Sequence, residues 1–217
     1  MAGTLRLGIL VSGRGTNMQA IMDGCRDGSI PAGVVVVISD VETAPALERA
    51  RNAGVEALFV DPGAYPGRRE FDDAVGDLLE QRSVDLVLLA GFMRVLGPTL
   101  IRRFKGRIMN IHPSLLPSFP GLDAQRQAVE YGVRYSGCTV HFVDEGVDSG
   151  PIIVQAVVPV EDGDTTVTLA ERILREEHRI YPEAIRLFAQ GRLFVDGRRV
   201  RVLSPRDATS TGREGIH

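Results

Sequence analysis

Apolar residues in this chain fall into short runs that alternate with longer segments of helical spacing. Leu5 to Val11 is one such run, and it ends in Ser12-Gly13-Arg14-Gly15, so a strand entering a glycine turn is predicted. Thr16 to Asp23 then carries Met18, Ile21 and Met22 at helical spacing. Gly33 to Ser39 holds four consecutive valines and an isoleucine, the pattern of a strand buried on both faces. Ala44 to Ala53 predicts a helix with Pro45 in its first turn, where no backbone donor is needed. Val55 to Val60 predicts a short strand. Arg68 to Gln81 is an amphipathic helix striped by Phe71, Val75, Leu78 and Leu79. Val84 to Ala90 is a further buried strand, closed by Gly91. Thr99 to Phe104 predicts a short helix, and Arg107 to His112 a strand.

The second half is less regular. A helix is predicted over Asp123 to Tyr131, and strands over Gly137 to Val143 and Pro151 to Val160, separated by an Asp/Gly-rich loop. Thr168-Leu169-Ala170-Glu171 has the form of a capping box opening a long helix to about Gln190, with Pro182 expected to bend it. Phe194 to Arg198 reads as a hairpin turning on Asp196-Gly197. Ser204 to His217 is polar and expected to be mobile. Strands alternating with helices imply the α/β class: an open, mostly parallel twisted sheet with helices on both faces, Rossmann-like in its N-terminal half, followed by a mixed C-terminal part. One domain over residues 1–203 is expected, with halves 1–104 and 105–203 and a tail over 204–217.

Composition narrows the function classes. The 217 residues suffice for a sizeable core, and 44% hydrophobic with 24% charged residues is ordinary for a soluble globular protein. A net charge of -3 gives no global attraction to nucleic acid or an anionic membrane. The run from Leu5 to Val11 is too short to span a bilayer and lacks a signal-peptide pattern. Cys25 and Cys138 are too few for a disulfide framework and read as packing residues in a reducing, cytoplasmic setting. No His-x-x-x-His or Cys-x-x-Cys spacing suggests a metal.

The densest chemistry lies in Asn110-Ile111-His112-Pro113-Ser114-Leu115-Leu116-Pro117. Residues two apart on a strand share a face, so Asn110 and His112 point together at the carboxyl end of their strand, where open parallel sheets bind ligands. Pro113 holds His112 extended. A carboxylate beside the imidazole would raise its pKa and orient its ring. The downstream loop offers Asp144, Glu145 and Asp148, and the residues alone do not choose among them. Ser114 reads as structural. His141 alternates with Val140 and Phe142 and so faces away from that pair, either to line a site or, as the default, to cap a core hydrogen bond; His178 is expected on a solvated helix face. The turn Ser12 to Asn17 is neither a P-loop nor a full dinucleotide fingerprint, but its glycines and helix start suit an anion such as a phosphate. No Gly-x-Ser-x-Gly elbow marks a hydrolase triad.

Asn110 and His112 in Met-Asn-Ile-His-Pro-Ser-Leu-Leu-Pro, with Asp148 in Val-Asp-Ser-Gly-Pro-Ile-Ile, resemble the catalytic triad of the folate-dependent formyltransferases. Ser-Gly-Arg-Gly-Thr-Asn at the first turn, Ala90 to Leu96, and Glu176 to Pro182 extend the resemblance to the branch that formylates glycinamide ribonucleotide in purine synthesis; it runs from about Leu5 to Leu203. The resemblance implies 10-formyltetrahydrofolate as co-substrate, no metal, small-molecule partners only, and a branch containing both monomers and homodimers. It implies that Gly15, Thr16 and Asn17 hold the substrate phosphate and Glu177 the ribose hydroxyls. It implies that Met93, Arg94, Val95 and Leu96 line the folate pocket, that Arg68 meets the folate glutamate, and that Asp144, Glu145, Gly146, Val147 and Asp148 form the pterin-side loop. Asn110 and a protonated His112 would then stabilise a tetrahedral oxyanion, with Asp148 assisting proton transfer. The chain departs from the family after Phe119-Pro120-Gly121-Leu122, where a histidine is frequent and Asp123, Ala124 and Gln125 stand here. Formyl transfer to initiator methionyl-tRNA or an amino sugar, hydrolysis of formyltetrahydrofolate, and noncatalytic nucleotide binding are the competing readings.

Overall fold

A computed structural model describes residues 4–210. The chain divides into two compact units, Met1–Met109 and Asn110–His217.

The first unit alternates strand and helix: β1 (Leu5–Val11), α1 (Thr16–Arg26), β2 (Ala32–Ser39), α2 (Pro45–Asn52), β3 (Glu56–Phe59), α3 (Arg68–Gln81), β4 (Leu86–Leu89) and α4 (Pro98–Arg103). The strands pair in parallel in the order β3-β2-β1-β4. Such an order follows from helical crossovers, since parallel neighbours cannot be joined by tight turns. The order reverses between β1 and β4, which opens a crevice at their carboxyl ends. All four β4 residues and Leu7 to Val11 of β1 are buried, as their unbroken apolar runs require. In β2 Ala32 and Val36 to Ser39 are buried and Gly33 to Val35 half-buried, so the valine run is covered on both faces in its second half alone. At Gly8 an added Cβ would stand 2.6 Å from Leu79 Cδ2, so a hydrogen there lets α3 pack directly on β1.

The second unit begins within β5 (Ile108–His112) and continues through α5 (Ala124–Tyr131), β6 (Tyr135–Phe142), β7 (Ile152–Pro159), α6 (Thr166–Ala189), β8 (Leu193–Asp196), β9 (Arg199–Val202) and α7 (Pro205–Ser210). β6 and β7 are antiparallel, β9 joins β7 in parallel, and β8 closes the edge as the antiparallel partner of β9. Helix α6 packs on β6 and β7 and buries Leu169, Ile173, Ile180, Tyr181, Ala184 and Ile185, a spacing set by 3.6 residues per turn. Each large apolar side chain buried there contributes roughly 1.5–3 kcal/mol.

Several expectations shift. Helix α1 runs three residues past Asp23, to Arg26. The cap of α6 is Thr165, bonded reciprocally with Thr168, three residues before the predicted box. Asp164 explains the difference: its carboxylate accepts from Thr168 Oγ1 (2.8 Å) and from Arg172 (2.6 Å), which anchors Thr168 inside the first turn. Helix α6 continues through Pro182 as a single 24-residue element. Asp196 pairs with Arg199, so the hairpin turns on Gly197-Arg198, one residue later than predicted, with Gly197 at φ 57°. Pro205–Ser210 is helical within the expected mobile tail, and residues 211–217 lie outside the described residues. Among the described residues, no helix is long and apolar enough to cross a membrane.

Gly15, the residue preceding α1, has φ 71°, and an added Cβ would lie 2.7 Å from the Ala46 Cβ of α2. A left-handed backbone costs an L-residue roughly 1–2 kcal/mol, and overpacking adds roughly 1–3 kcal/mol. Gly15→Ala is therefore expected to lower unfolding free energy by about 2–5 kcal/mol in urea titration; unchanged stability would refute this account of the turn.

Candidate active site

Alternation along β5 buries Ile111 in the core and leaves Asn110 and His112 on the opposite face at the strand's end. The loop that follows is pinned to its neighbouring strands. Thr139 Oγ1 on β6 donates to the Ser114 carbonyl (2.7 Å) and accepts from Leu116 N–H (3.1 Å), while Gln155 Nε2 on β7 donates to the Leu116 carbonyl (3.0 Å). Ser114 Oγ donates to the Ser118 carbonyl (2.5 Å), the structural role expected of it. This bracing sets the Phe119 carbonyl 2.8 Å from His112 Nε2.

Asp148 closes the group. Its Oδ2 stands 3.3 Å from His112 Nδ1 and accepts Gly121 N–H at 2.8 Å; its Oδ1 accepts Asn110 Nδ2 at 3.3 Å. Of the three acidic candidates in the loop, Asp148 is the one at the imidazole. Asp144 turns into its own loop, accepting from Ser149 Oγ (2.6 Å) and Gly146 N–H (3.1 Å), and Glu145, Gly146 and Val147 are exposed. Phe119 and Asp148 both have positive φ, 51° and 49°, a conformation costly for residues with a Cβ and held here by surrounding bonds.

His141 combines the two readings open to it, a buried bond within the core and a place in the site. It is buried on β6, but its Nε2 lies 3.2 Å from Asn110 Nδ2 and 3.7 Å from Asp148 Oδ1, so it lines the site. Its Nδ1 faces the Phe142 carbonyl at 2.8 Å. A carbonyl only accepts, so Nδ1 carries hydrogen, which leaves Nε2 facing the Asn110 amide and Asp148. The alternation Val140-His141-Phe142 reveals a face but not what the next strand presents to it. The Phe119 carbonyl and Gly121 N–H carry no side-chain signal.

Electrostatics correct one expectation. Burial pushes the His112 pKa below its ordinary 6.5; the Phe119 carbonyl and Asp148 carboxylate raise it, His141 lowers it further, and burial prevails. Asp148 shows the opposite balance. Burial would raise its pKa, but the His141 ring, the Gly121 N–H and His112 together hold it below the usual carboxylate value. His178 is half-buried rather than solvated, and burial lowers its pKa too. Cys138 is buried with its thiol pushed up to about 12, chiefly by burial, and Cys25 to about 11 by the same cause, so neither is a ready nucleophile.

The remaining residues implied by resemblance fall in two places. In the first unit, Gly15, Thr16 and Asn17 open α1, with Asn17 buried. Met93 and Val95 are exposed and Leu96 is buried, its carbonyl bonded by the Arg68 guanidinium. Arg94 stacks over the Phe71 ring at 5.1 Å. Arg68 also lines a cavity of 540 Å³ with Arg69, Asp72 and Arg102. In the second unit, Glu177 is buried on α6. Among the described residues, no cluster of three or more His, Cys, Asp or Glu side chains forms a metal site.

Known proteins match this arrangement along most of the chain. The formyl transferase family matches residues 5–185. The phosphoribosylglycinamide formyltransferase of Haemophilus influenzae is 44% identical over 189 residues, covering 87% of this chain and 89% of that protein. The trifunctional purine biosynthetic protein adenosine-3 of Bos taurus is 46% identical over 195 residues, and the chain spans only 19% of its length. Among solved structures, glycinamide ribonucleotide transformylase 1 from Symbiobacterium toebii is 62% identical with a TM-score of 0.93, covering 94% of this chain and 96% of that one. A formyltetrahydrofolate deformylase from Pseudomonas syringae pv. tomato shares 26% identity and a TM-score of 0.86, over 94% of this chain and 67% of that one. With half-buried Asn110, buried His112 and Asp148 gathered at the end of β5, and with these likenesses along its length, the chain belongs to the formyl transferase family, among the phosphoribosylglycinamide formyltransferases.

Proposed function

We propose that this protein transfers the formyl group of 10-formyltetrahydrofolate to the amine of glycinamide ribonucleotide, a step of purine biosynthesis, by direct acyl transfer. The observation that carries the reading is the shared carboxylate: Asp148 lies 3.3 Å from both the His112 ring and the Asn110 amide. Acyl transfer needs donors for a developing oxyanion and a group that moves a proton, and this cluster supplies both.

In the proposed sequence, the substrate amine attacks the formyl carbon and the carbonyl oxygen becomes an oxyanion. Asn110 Nδ2–H and His112 Nε2–H donate to it, the latter exchanging the Phe119 carbonyl for the new acceptor. Negative charge at that oxygen offsets the burial that keeps His112 neutral, so Nδ1 takes up a proton beside Asp148 as the intermediate forms. The C–N bond to the folate then breaks. The proton that leaves the amine reaches the departing folate nitrogen through this pair, directly or by way of water. Gly15, Thr16 and Asn17 would hold the phosphate, Glu177 the ribose, Met93 to Leu96 and the Asp144 to Asp148 loop the folate, and Arg68 its glutamate. Unpaired cysteines suit the cytoplasm.

The same centre suits hydrolysis of formyltetrahydrofolate, and the likeness to a deformylase keeps that reaction in view. The 62% identity to a transformylase, against 26% to the deformylase, favours transfer. Release of tetrahydrofolate from its formyl form should require glycinamide ribonucleotide; release with water alone would favour the hydrolase.

Removing one oxyanion donor typically costs about 10²–10³ in kcat. His112→Ala and Asp148→Asn are each expected to lower kcat at least that far while circular dichroism stays native. Near-normal turnover in either variant removes that residue from the mechanism.

The depressed His112 pKa also sets a pH dependence. The unfolded chain takes up a proton near 6.5 that native His112 refuses, so acidification below that value favours unfolding until the native ring itself charges. His178 acts in the same direction. Asp148, depressed below 3.8, withdraws its stabilisation only at still lower pH. The urea midpoint is expected to fall between about pH 7 and about pH 5, and less steeply in His112→Asn. A flat profile, or one that the substitution leaves alone, contradicts the assignment.

A further inference from the structure

At the carboxyl ends of β1, β2 and β4, three chain segments meet at one hydroxyl. Ser12, directly after β1, donates from Oγ to Asp40 Oδ1 at 2.6 Å, and Asp40 directly follows β2. The same Oγ accepts the backbone N–H of Met93, beyond β4, at 2.9 Å. Ser12 N–H donates to the Gly91 carbonyl at 2.9 Å, a second stitch to the same segment. On the other side, the Gly13 carbonyl accepts Ala46 N–H at 3.2 Å, so the glycine turn is held against α2 as well. A hydroxyl suits this junction because it donates and accepts at once; Asp40 fixes where its hydrogen points and leaves a lone pair facing Met93.

We propose that Ser12 is a positioning residue that sets the phosphate turn (Gly15 to Asn17) and the folate segment (Met93 to Leu96) in one fixed register, so that both ligands depend on a side chain that touches neither. The proposal rests on the functional reading above, which assigns those two segments to the nucleotide and the folate. The physical reason is leverage. Ser12 lies three residues before Gly15 and bonds the first residue of the folate segment. Losing its hydroxyl frees the Met93 N–H and lets the strand ends on either side of the β1/β4 crevice drift.

The test is direct binding of glycinamide ribonucleotide alone and of tetrahydrofolate alone, by calorimetry, with steady-state kinetics alongside. In Ser12→Ala, Kd and KM for both ligands are expected to rise together by about five-fold, the effect of releasing the Met93 N–H, while the bond to Asp40 is lost with the same hydroxyl. kcat should stay near its original value, because the His112 network lies in the other unit. Ser12→Thr keeps the hydroxyl and should restore both affinities. Asp40→Ala removes only the orienting acceptor and should fall between. If Ser12→Ala is folded and weakens one ligand or neither, the positioning role is overturned; a drop in melting temperature without that paired effect marks a purely structural residue. If the unaltered protein binds neither compound, the functional reading fails instead, and the two failures are told apart.

Discussion

A carboxylate taken out of water must be matched by donors or it neutralises itself, and this constraint shapes the second unit around Asp148. Its two oxygens receive the Gly121 N–H and the Asn110 amide and face the His112 ring. Those donors come from the loop after β5 and from β5 itself, so satisfying one charge ties the loop to the strand. The positive φ of Asp148 and of Phe119 is tolerated because the bonds it permits outweigh a strain of order 1–3 kcal/mol each. The same network decides the chemistry of His112. With Nε2–H committed to a backbone carbonyl, the proton is gained or lost at Nδ1, beside the carboxylate, and burial rather than the carboxylate sets the resting balance.

The first unit solves a different problem. A parallel sheet buried on both faces leaves only strand ends for chemistry, and the ends must be held without covering them. Close approach achieves part of this. Gly8 lets α3 lie directly on β1, and Gly15 lets the turn before α1 press against α2. Hydrogen bonding achieves the rest, through the Ser12 hydroxyl that joins the ends of three strands. The exposed Met93 and Val95 are therefore carried by a backbone anchored at Gly91, at Met93 and, through Arg68, at Leu96.

How much of this is legible in the chain follows from which signals are local. Apolar runs placed β1, β2 and α3, because burial periodicity depends on neighbours in sequence. Asn110 and His112 were visible as a pair because strand geometry alone puts them on one face. The residues alone leave Asp144, Glu145 and Asp148 equivalent, since all three lie within one short loop; the family resemblance names Asp148, and the contacts put it at the imidazole. Val140-His141-Phe142 leaves open whether His141 lines a site or caps a core bond, because nothing in it announces Asn110 across the strand. The α6 cap moved from Thr168 to Thr165 because Asp164 and Arg172, eight residues apart, decide which threonine joins the first turn. The expectation of a raised His112 pKa failed for a related reason: the partner was readable, but the degree of burial was not.

The closed state of the site has a mechanistic meaning. Both hydrogens of Asn110 Nδ2 have acceptors, in Asp148 and His141, and His112 Nε2–H has Phe119. An empty oxyanion hole would leave these buried donors unpaired, at a cost of roughly 1–3 kcal/mol each. Here each of these donors has an acceptor within the protein. Binding must then exchange acceptors rather than fill vacancies. A neutral formyl oxygen is no better an acceptor than the Phe119 carbonyl it replaces, whereas an oxyanion is far better. The exchange is therefore close to neutral in the ground state and favourable as negative charge develops, which is the difference in binding that lowers a barrier. Under the proposed mechanism the Phe119 carbonyl would stand in for the substrate oxygen, and the local order of the loop that presents it would serve catalysis as well as folding.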